Sequence, residues 1–522
     1  MPTRFAAIAL FLIALVFSAQ QTRDATLRVR IADPGGKPVP ARVLITTAAG
    51  TPIAAEPDGA VPVLWGRNDR AEGYVFAAGG AFYADGSFWV RLPPGEYRLE
   101  VSKGNEFLPH SAPLRLEPGK TLVHGVRLER WIDMPARGWY SADDHIHLQR
   151  APRDNPAILR WVAAEDVHVG NILEMGDFWA TYFTQHAFGP KGRYKEGNNI
   201  LSPGQEEPRT PEIGHTISLG ASELVRFPDD YYTYGRIFDQ VHELGGISGF
   251  AHQAELFHGY RGMVLTALAG KVDLMELVQF CADGGPLITK HYYQFLDLGV
   301  RLTALAGSDY PWCGLGPRYG VEKGAAQIGN ARFYTYVRAE FSFERWLDAV
   351  KAGHTFATTG PILEFTLNGK LPGETVDVKP GEKVHVVAKA YGHSEQIPLS
   401  ELEVVVHGET VAGVADSKDQ LSIEKDIPVE HGFWIAARAR AKPFQVAHTT
   451  PVYVTVNGGG FQNPKTAPRY LSLAEDQMKE LEAALAAPGS RLDQQAARHR
   501  ARLEAQITAA RGELATLRSS WR

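Results

Sequence analysis

Gly138-Trp139-Tyr140-Ser141-Ala142-Asp143-Asp144-His145-Ile146-His147-Leu148 is the stretch on which the reading of this chain turns. Aromatic and small residues lead into it, and two histidines close it. Side chains of an extended strand repeat every second residue, so His145 and His147 point to one face and their imidazoles converge. Alone the triplet is a weak signal in a chain with 18 histidines, where two ordinary surface side chains explain it as well.

Position adds to it. From 138 to 360 apolar runs alternate with loops and amphipathic helical stretches such as 234–244 and 343–352. Strands are predicted at 139–147, 168–173, 200–206, 215–220, 246–252, 272–280, 302–309 and 332–337. Strand, loop and helix in repetition predict parallel strands joined by crossover helices, an α/β class barrel. Several strands end on polar groups: Gly204-Gln205-Glu206, Phe250-Ala251-His252 and Gly307-Ser308-Asp309, with Gly214-His215 returning soon after Glu206. Carboxyl ends of barrel strands gather at one mouth, so His145, His147, Glu206, His215, His252 and Asp309 are predicted to form one site. Four imidazoles and two carboxylates suit zinc, manganese or iron. A bridging carboxylate such as Glu206 allows two ions to share a water, acidified for hydrolysis.

The flanks read differently. At 25–130 Leu27, Val29 and Ile31 alternate with Arg28 and Arg30, and Asp33-Pro34-Gly35-Gly36, Pro93-Pro94-Gly95 and Glu117-Pro118-Gly119-Lys120 supply turns. This segment resembles the immunoglobulin-like β-sandwiches attached to many secreted bacterial enzymes. A second β-sandwich is predicted at 361–457, with Asn368-Gly369 as a hairpin turn. The tail at 470–520 has Ser472 and Glu475 in capping-box spacing and a break at Pro488-Gly489, which predicts a helical hairpin packed on the body.

Arg4, an apolar run over 5–17 and the small and polar residues Ser18, Ala19, Gln20 and Gln21 have signal-peptide grammar, so residues 1–20 are expected to be removed on export to the periplasm or beyond. The apolar run is shorter than the ~20 residues of a spanning helix, and no later stretch qualifies. A net charge of -5 with 22% charged residues gives no basic stripe for nucleic acid. Two cysteines, Cys281 and Cys313, exclude a disulfide framework and a four-thiolate zinc site, and leave open whether they pair.

The motifs GWYSADDHIHL (138–148), GQE (204–206), GHTISLG (214–220), GFAHQ (249–253), AGSDYP (306–311) and KAGHTFATTGP (351–361) resemble those of the PHP (polymerase and histidinol phosphatase) superfamily, and within it the carbaryl-hydrolase-like CehA/McbA group. The resemblance implies a PHP-type distorted (β/α) barrel. It places metal ligands on the same six residues and implies attack on an ester or carbamate by a metal-bound hydroxide. Two departures, Leu173-Glu174-Met175-Gly176-Asp177 in place of an Asp-His pair and no histidine after Asp309, point to one or two ions rather than three. Glu174 or Asp177 stands as a substitute ligand or a helix cap. Tyr310 and His258 stand, with Glu206, as candidate catalytic groups, each able to donate a proton to the leaving group or simply to line the wall. Cys313 reads as an inert thiol and His448 as structural.

Trp179, Tyr182, Phe183, Tyr260 and Trp312 line the mouth or anchor its loops, which suits a small-molecule substrate with an aromatic leaving group. Two other functions compete. A phosphoesterase wants a cation beside the metals, for which Lys323, Arg318 and Arg261 are available. A secreted binding protein with a retired barrel is the alternative of another class.

Overall fold

The computed structural model describes residues 23–65, 72–255, 257–278, 287–311, 327–489 and 500–520. The expected leader at 1–20 lies outside these residues, as do Cys281, Trp312, Cys313, Arg318 and Lys323.

Alternation at the start of the chain does build strands. In Ala25–Ala32, Leu27, Val29 and Ile31 are buried while Arg28 and Arg30 are exposed. This strand pairs antiparallel with Phe82–Leu92 and parallel with Thr121–Arg127. Where a two-layer sandwich was expected, one seven-stranded sheet forms. Its two edge strands, His110–Leu116 and Thr121–Arg127, bring His110 Nε2 within 3.3 Å of His124 Nε2, so the sheet curls around its own core of Leu27, Val43, Phe82, Leu99 and Val126.

The central strands run in the order Trp139–Ile146, Val169–Gly176, Asn199–Glu206, Gly214–Leu219, Ile247–Phe250, Leu274–Val278 and Thr303–Ala306. The first three are parallel, Gly214–Leu219 is antiparallel to both of its neighbours, and the last three are parallel again. A parallel bridge between Ile146 and Tyr310, with His147 N–H donating to the Tyr310 carbonyl at 2.8 Å, brings the two ends together. Gly249 must be glycine, because a Cβ there would strike the Leu274 carbonyl of the adjacent strand.

The expected α/β class, a PHP-type (β/α) barrel of parallel strands and crossover helices, is therefore corrected. The chain is predominantly β, and its central sheet is mixed, nearly closed and continuous with the C-terminal strands. The reason lies in the connections. A tight turn through Arg209–Thr210, paired with Gly214 and His215, replaces a crossover helix and reverses the strand. Arg332–Tyr336 adds antiparallel to Trp139–Ile146, and the next strand, Thr355–Thr358, pairs with Gln445–Thr449 of the C-terminal region. The helices that do pack on the sheet are short, such as Tyr234–Glu243, Gly259–Thr266 and Phe343–Lys351.

Beyond 361 a three-stranded sheet of Ile362–Leu367, Lys383–Tyr391 and Gln420–Pro428 shares a core with strands of the large sheet, among them Leu399–Val406 and Phe433–Ala441. The tail forms helices Ala467–Ala486 and Arg500–Ser520, whose Leu471, Met478, Leu481, Leu503, Ile507 and Leu514 join the central core. Ser472 does not cap. The first helix starts at Ala467 with Pro468 in its first turn, and the Ser472 hydroxyl donates to the Pro468 carbonyl inside it.

Candidate metal centre

The site is assembled from strand ends. Asp143 pins two of them, accepting the His145 and Ser308 N–H groups on Oδ1, each at 3.0 Å, and the Gly329 N–H on Oδ2 at 2.8 Å. Gly307 fits against Asp144 and His145, where any side chain would collide. His252 and Asp309 have φ of 54° and 50°, left-handed values that turn the chain sharply as each strand ends. Such conformations cost on the order of 1–2 kcal/mol per residue and gather where surrounding structure enforces them.

The six expected ligands lie together around Glu206, and all are buried. His145 Nδ1–H donates to Glu276 Oε1 at 2.9 Å, which leaves Nε2 facing His147 Nε2 at 3.1 Å and Asp309 Oδ1 at 3.3 Å. His147 Nε2 is 3.3 Å from Asp309 Oδ1 and 3.4 Å from Glu206 Oε2, while its Nδ1–H donates to the Leu173 carbonyl at 3.3 Å. The other oxygen of Glu206 lies 2.9 Å from His215 Nδ1 and 3.5 Å from His252 Nε2. His252 Nδ1 is 3.9 Å from Asp309 Oδ2.

Two ligand groups, His145–His147–Glu206 and Glu206–His215–His252, thus share one carboxylate, with the ligand atoms of each within 4.8 Å of one another. Bonds of about 2.0–2.1 Å to a tetrahedral ion bring two ligand nitrogens to about 3.3 Å, and the donor spacing here fits that. These buried His and Glu groups can hold a metal ion.

Electrostatics agree with a cation site. Burial opposes charge on His145 and His147, yet Asp309, with Glu276 for His145 and Glu206 for His147, raises both above the usual imidazole range. Burial likewise opposes charge on Glu206, but Arg209 and His215 hold it well below the usual carboxylate range. His215 is pushed down to about 4 by burial. Asp144, buried beside Glu276, is driven well above the carboxylate range by burial and by that neighbour's charge.

The remaining candidates fall elsewhere. Tyr310 packs its ring edge-on against Trp161 at 4.9 Å. His258, at the rim, donates Nδ1–H to the Pro211 carbonyl at 2.8 Å. Glu174 accepts the Gln185 N–H, and Asp177 accepts from Trp179, Ala180 and Tyr182, so both carboxylates organise the loop after their strand. Arg261 pairs with Glu480 of the tail. His448 is buried in the C-terminal layer, where the Tyr293 hydroxyl donates to its Nε2. Of the aromatics, Trp179 is 75% exposed, Phe183 stacks on His147, and Tyr260 is buried against His291.

Three participants escaped the sequence reading. Phe257 stacks on His215 at 4.4 Å, Arg209 sits 3.2 Å from Glu206, and Glu276 holds His145. Only Glu276 left a signal, a carboxylate inside the apolar run Leu274-Met275-Glu276-Leu277-Val278.

No family model and no curated protein matches the chain. Among solved structures it is similar to the major pilin subunit BcpA of Bacillus cereus, at TM-score 0.22 and 7% identity over 83% of this chain and 69% of that one. A singly substituted form of that pilin gives TM-score 0.21 and 8% identity over 84% and 70%. Values this low do not amount to a shared fold.

Proposed function

We propose that this chain is a metal-dependent hydrolase of esters or carbamates that holds one or two divalent ions, of zinc, manganese or iron, on His145, His147, Glu206, His215, His252 and Asp309. The observation that carries the reading is the sharing of Glu206 between two buried groups of imidazoles. The motif resemblance to carbaryl-hydrolase-like metallohydrolases supports the same chemistry. A bound ion supplies an acidified water and polarises the bond to be cut.

The chain's own residues prepare that site. Glu276 and the Leu173 carbonyl fix the tautomers of His145 and His147, so that both present Nε2 to the centre. Asp143 locks the loop carrying Asp309 to the strand carrying both histidines. Phe257, stacked on His215 and 47% exposed, offers a face to an aromatic leaving group. Export after loss of residues 1–20 belongs to the same reading, and an intact Met1 in the exported protein would remove it. Among the described residues no helix is long and apolar enough to cross a membrane.

The test joins metal analysis of the purified full chain to a screen of chromogenic aryl esters, carbamates and phosphates. Bound metal and chelator-sensitive turnover of an ester or carbamate are expected. Absence of both after reconstitution with zinc, manganese and iron would overturn the reading.

A further inference from the structure

Among the described residues, Arg209 is the one Lys or Arg that forms an ion pair with any of the six ligands. Its position is fixed by backbone. Arg209 pairs with His215 across the turn, its N–H donates to the Tyr231 hydroxyl at 3.2 Å, and the next N–H, of Thr210, donates to the Tyr234 hydroxyl at 3.0 Å. The side chain is 25% exposed, so it stands at the boundary between the buried ligands and the mouth.

The guanidinium is under-used. Nε lies 3.2 Å from Glu206 Oε2 but is not aligned to donate to it, and is a buried donor without a hydrogen-bond partner. Among the described residues no second carboxylate comes within ion-pair distance of it. A guanidinium carries five donors in a planar fork, suited to gripping two oxygens of one anion. Burying that charge is costly unless a partner completes it, and Glu206 is already shared among four imidazoles.

Aromatic rings flank the same turn. Phe257 covers His215 on one side, and Phe178 packs edge-on against Tyr231 at 6.0 Å on the other. Among the described residues, the rim of the site therefore sets aromatic rings beside one fixed cation, Arg209.

We propose that Arg209 recognises a negative charge carried by the substrate, so that the preferred substrate is an aromatic ester or carbamate bearing an oxyanion, carboxylate or phosphate, close to the bond that is cut. This substrate class rests on the hydrolase reading; the anion subsite does not. Were Arg209 only a counter-charge for Glu206, its loss would affect neutral and anionic ligands alike.

Two measurements on the metal-loaded full chain separate these cases, with circular dichroism as the folding control. The first compares kcat/KM for 4-nitrophenyl valerate, 4-nitrophenyl hydrogen glutarate and phenyl phosphate in the parent, Arg209→Gln and Arg209→Lys. The parent is expected to favour an anionic substrate over the valerate, and Arg209→Gln to reduce that preference about 10- to 100-fold, the scale of one charge-assisted hydrogen bond. Arg209→Lys should restore part of it. Which anion gains, glutarate or phosphate, identifies the source of the charge. The second measurement is calorimetric binding of glutarate and inorganic phosphate, which needs no turnover. Anion affinity that falls at least tenfold in Arg209→Gln while no substrate is hydrolysed would sink the hydrolase reading and leave the subsite standing. Turnover without charge preference, or anion affinity equal in parent and Arg209→Gln, overturns the subsite.

Discussion

Glu276 holds His145 from behind: its Oε1 accepts Nδ1–H at 2.9 Å, while its Oε2 accepts the His252 backbone N–H at 2.7 Å. One buried carboxylate thus orients ligands delivered by two other strands. Partners of this kind typically contribute 10- to 100-fold in metal affinity, because they fix the ring and raise its basicity. Glu276→Gln is expected to weaken metal binding by about that factor in a competition titration against a chelator, with partial recovery in Glu276→Asp. Unchanged affinity in a folded Glu276→Gln protein would mean that the contact is only structural.

His252→Ala and Asp309→Ala are expected to abolish hydrolysis and leave the fold intact. Both side chains point into the ligand cluster rather than filling the core, and the His252 backbone bond to Glu276 survives the change. The activated water accounts for several orders of magnitude in rate, since binding to a metal lowers its pKa from 15.7 to about 7. Full activity in either folded variant, measured on the best substrate of the parent, eliminates the mechanism.

The convergence of these six side chains was legible because it rests on local facts: period-two geometry in His145-Ile146-His147 and polar groups ending apolar runs. The fold class was not. Residues 207–214, with two prolines, read as a turn that returns His215 to the mouth, but nothing in them announces that the Gly214–Leu219 strand then runs antiparallel to both of its neighbours. The pairing of Thr355–Thr358 with Gln445–Thr449 spans a distance in sequence that no local pattern encodes. Residues 252–254 escaped for a related reason. His252, Gln253 and Ala254 all take φ near 55°, a conformation that none of these side chains favours and that only the packed surroundings impose.

Glu106 should make the chain less stable as pH rises. It is buried between the N-terminal sheet and the central sheet, where it accepts the Met134 N–H and the Tyr334 hydroxyl and lies 3.4 Å from Arg130. Burial, helped by the charge of Asp166, pushes it up to about 8. A carboxyl raised in the folded state contributes fully below its ordinary value of 4.5 and loses that contribution as pH climbs to about 8. Glu207, also about 8, acts in the same direction. Denaturant midpoints of the parent are expected to fall between about pH 6.5 and 8, above the range in which the buried histidines titrate, and those of Glu106→Gln to fall less. Parallel curves would remove Glu106 as the source.

His448 should set the opposite limb. It is fully buried, with Nε2 accepting the Tyr293 hydroxyl at 2.7 Å and Nδ1–H donating to the Thr449 carbonyl at 2.7 Å. Burial pushes it down to about 4. The neutral ring is thus the form the fold accommodates, and a proton on Nε2 would point a donor at the hydroxyl that now donates to it. For a histidine lowered in the folded state, stability is complete above its ordinary value of 6.5 and is lost as pH falls to about 4. The full excursion corresponds to about 3 kcal/mol. His168, likewise about 4 through burial, adds to the same limb. His448→Gln keeps an acceptor for Tyr293 without a titrating group. Its stability at neutral pH is expected to drop through lost packing, yet its unfolding free energy should decline less steeply than that of the parent from pH 6.5 to 4. Urea melts across that interval decide the point: if parent and His448→Gln lose stability at the same rate, His448 does not titrate on unfolding and the acid limb belongs to other groups.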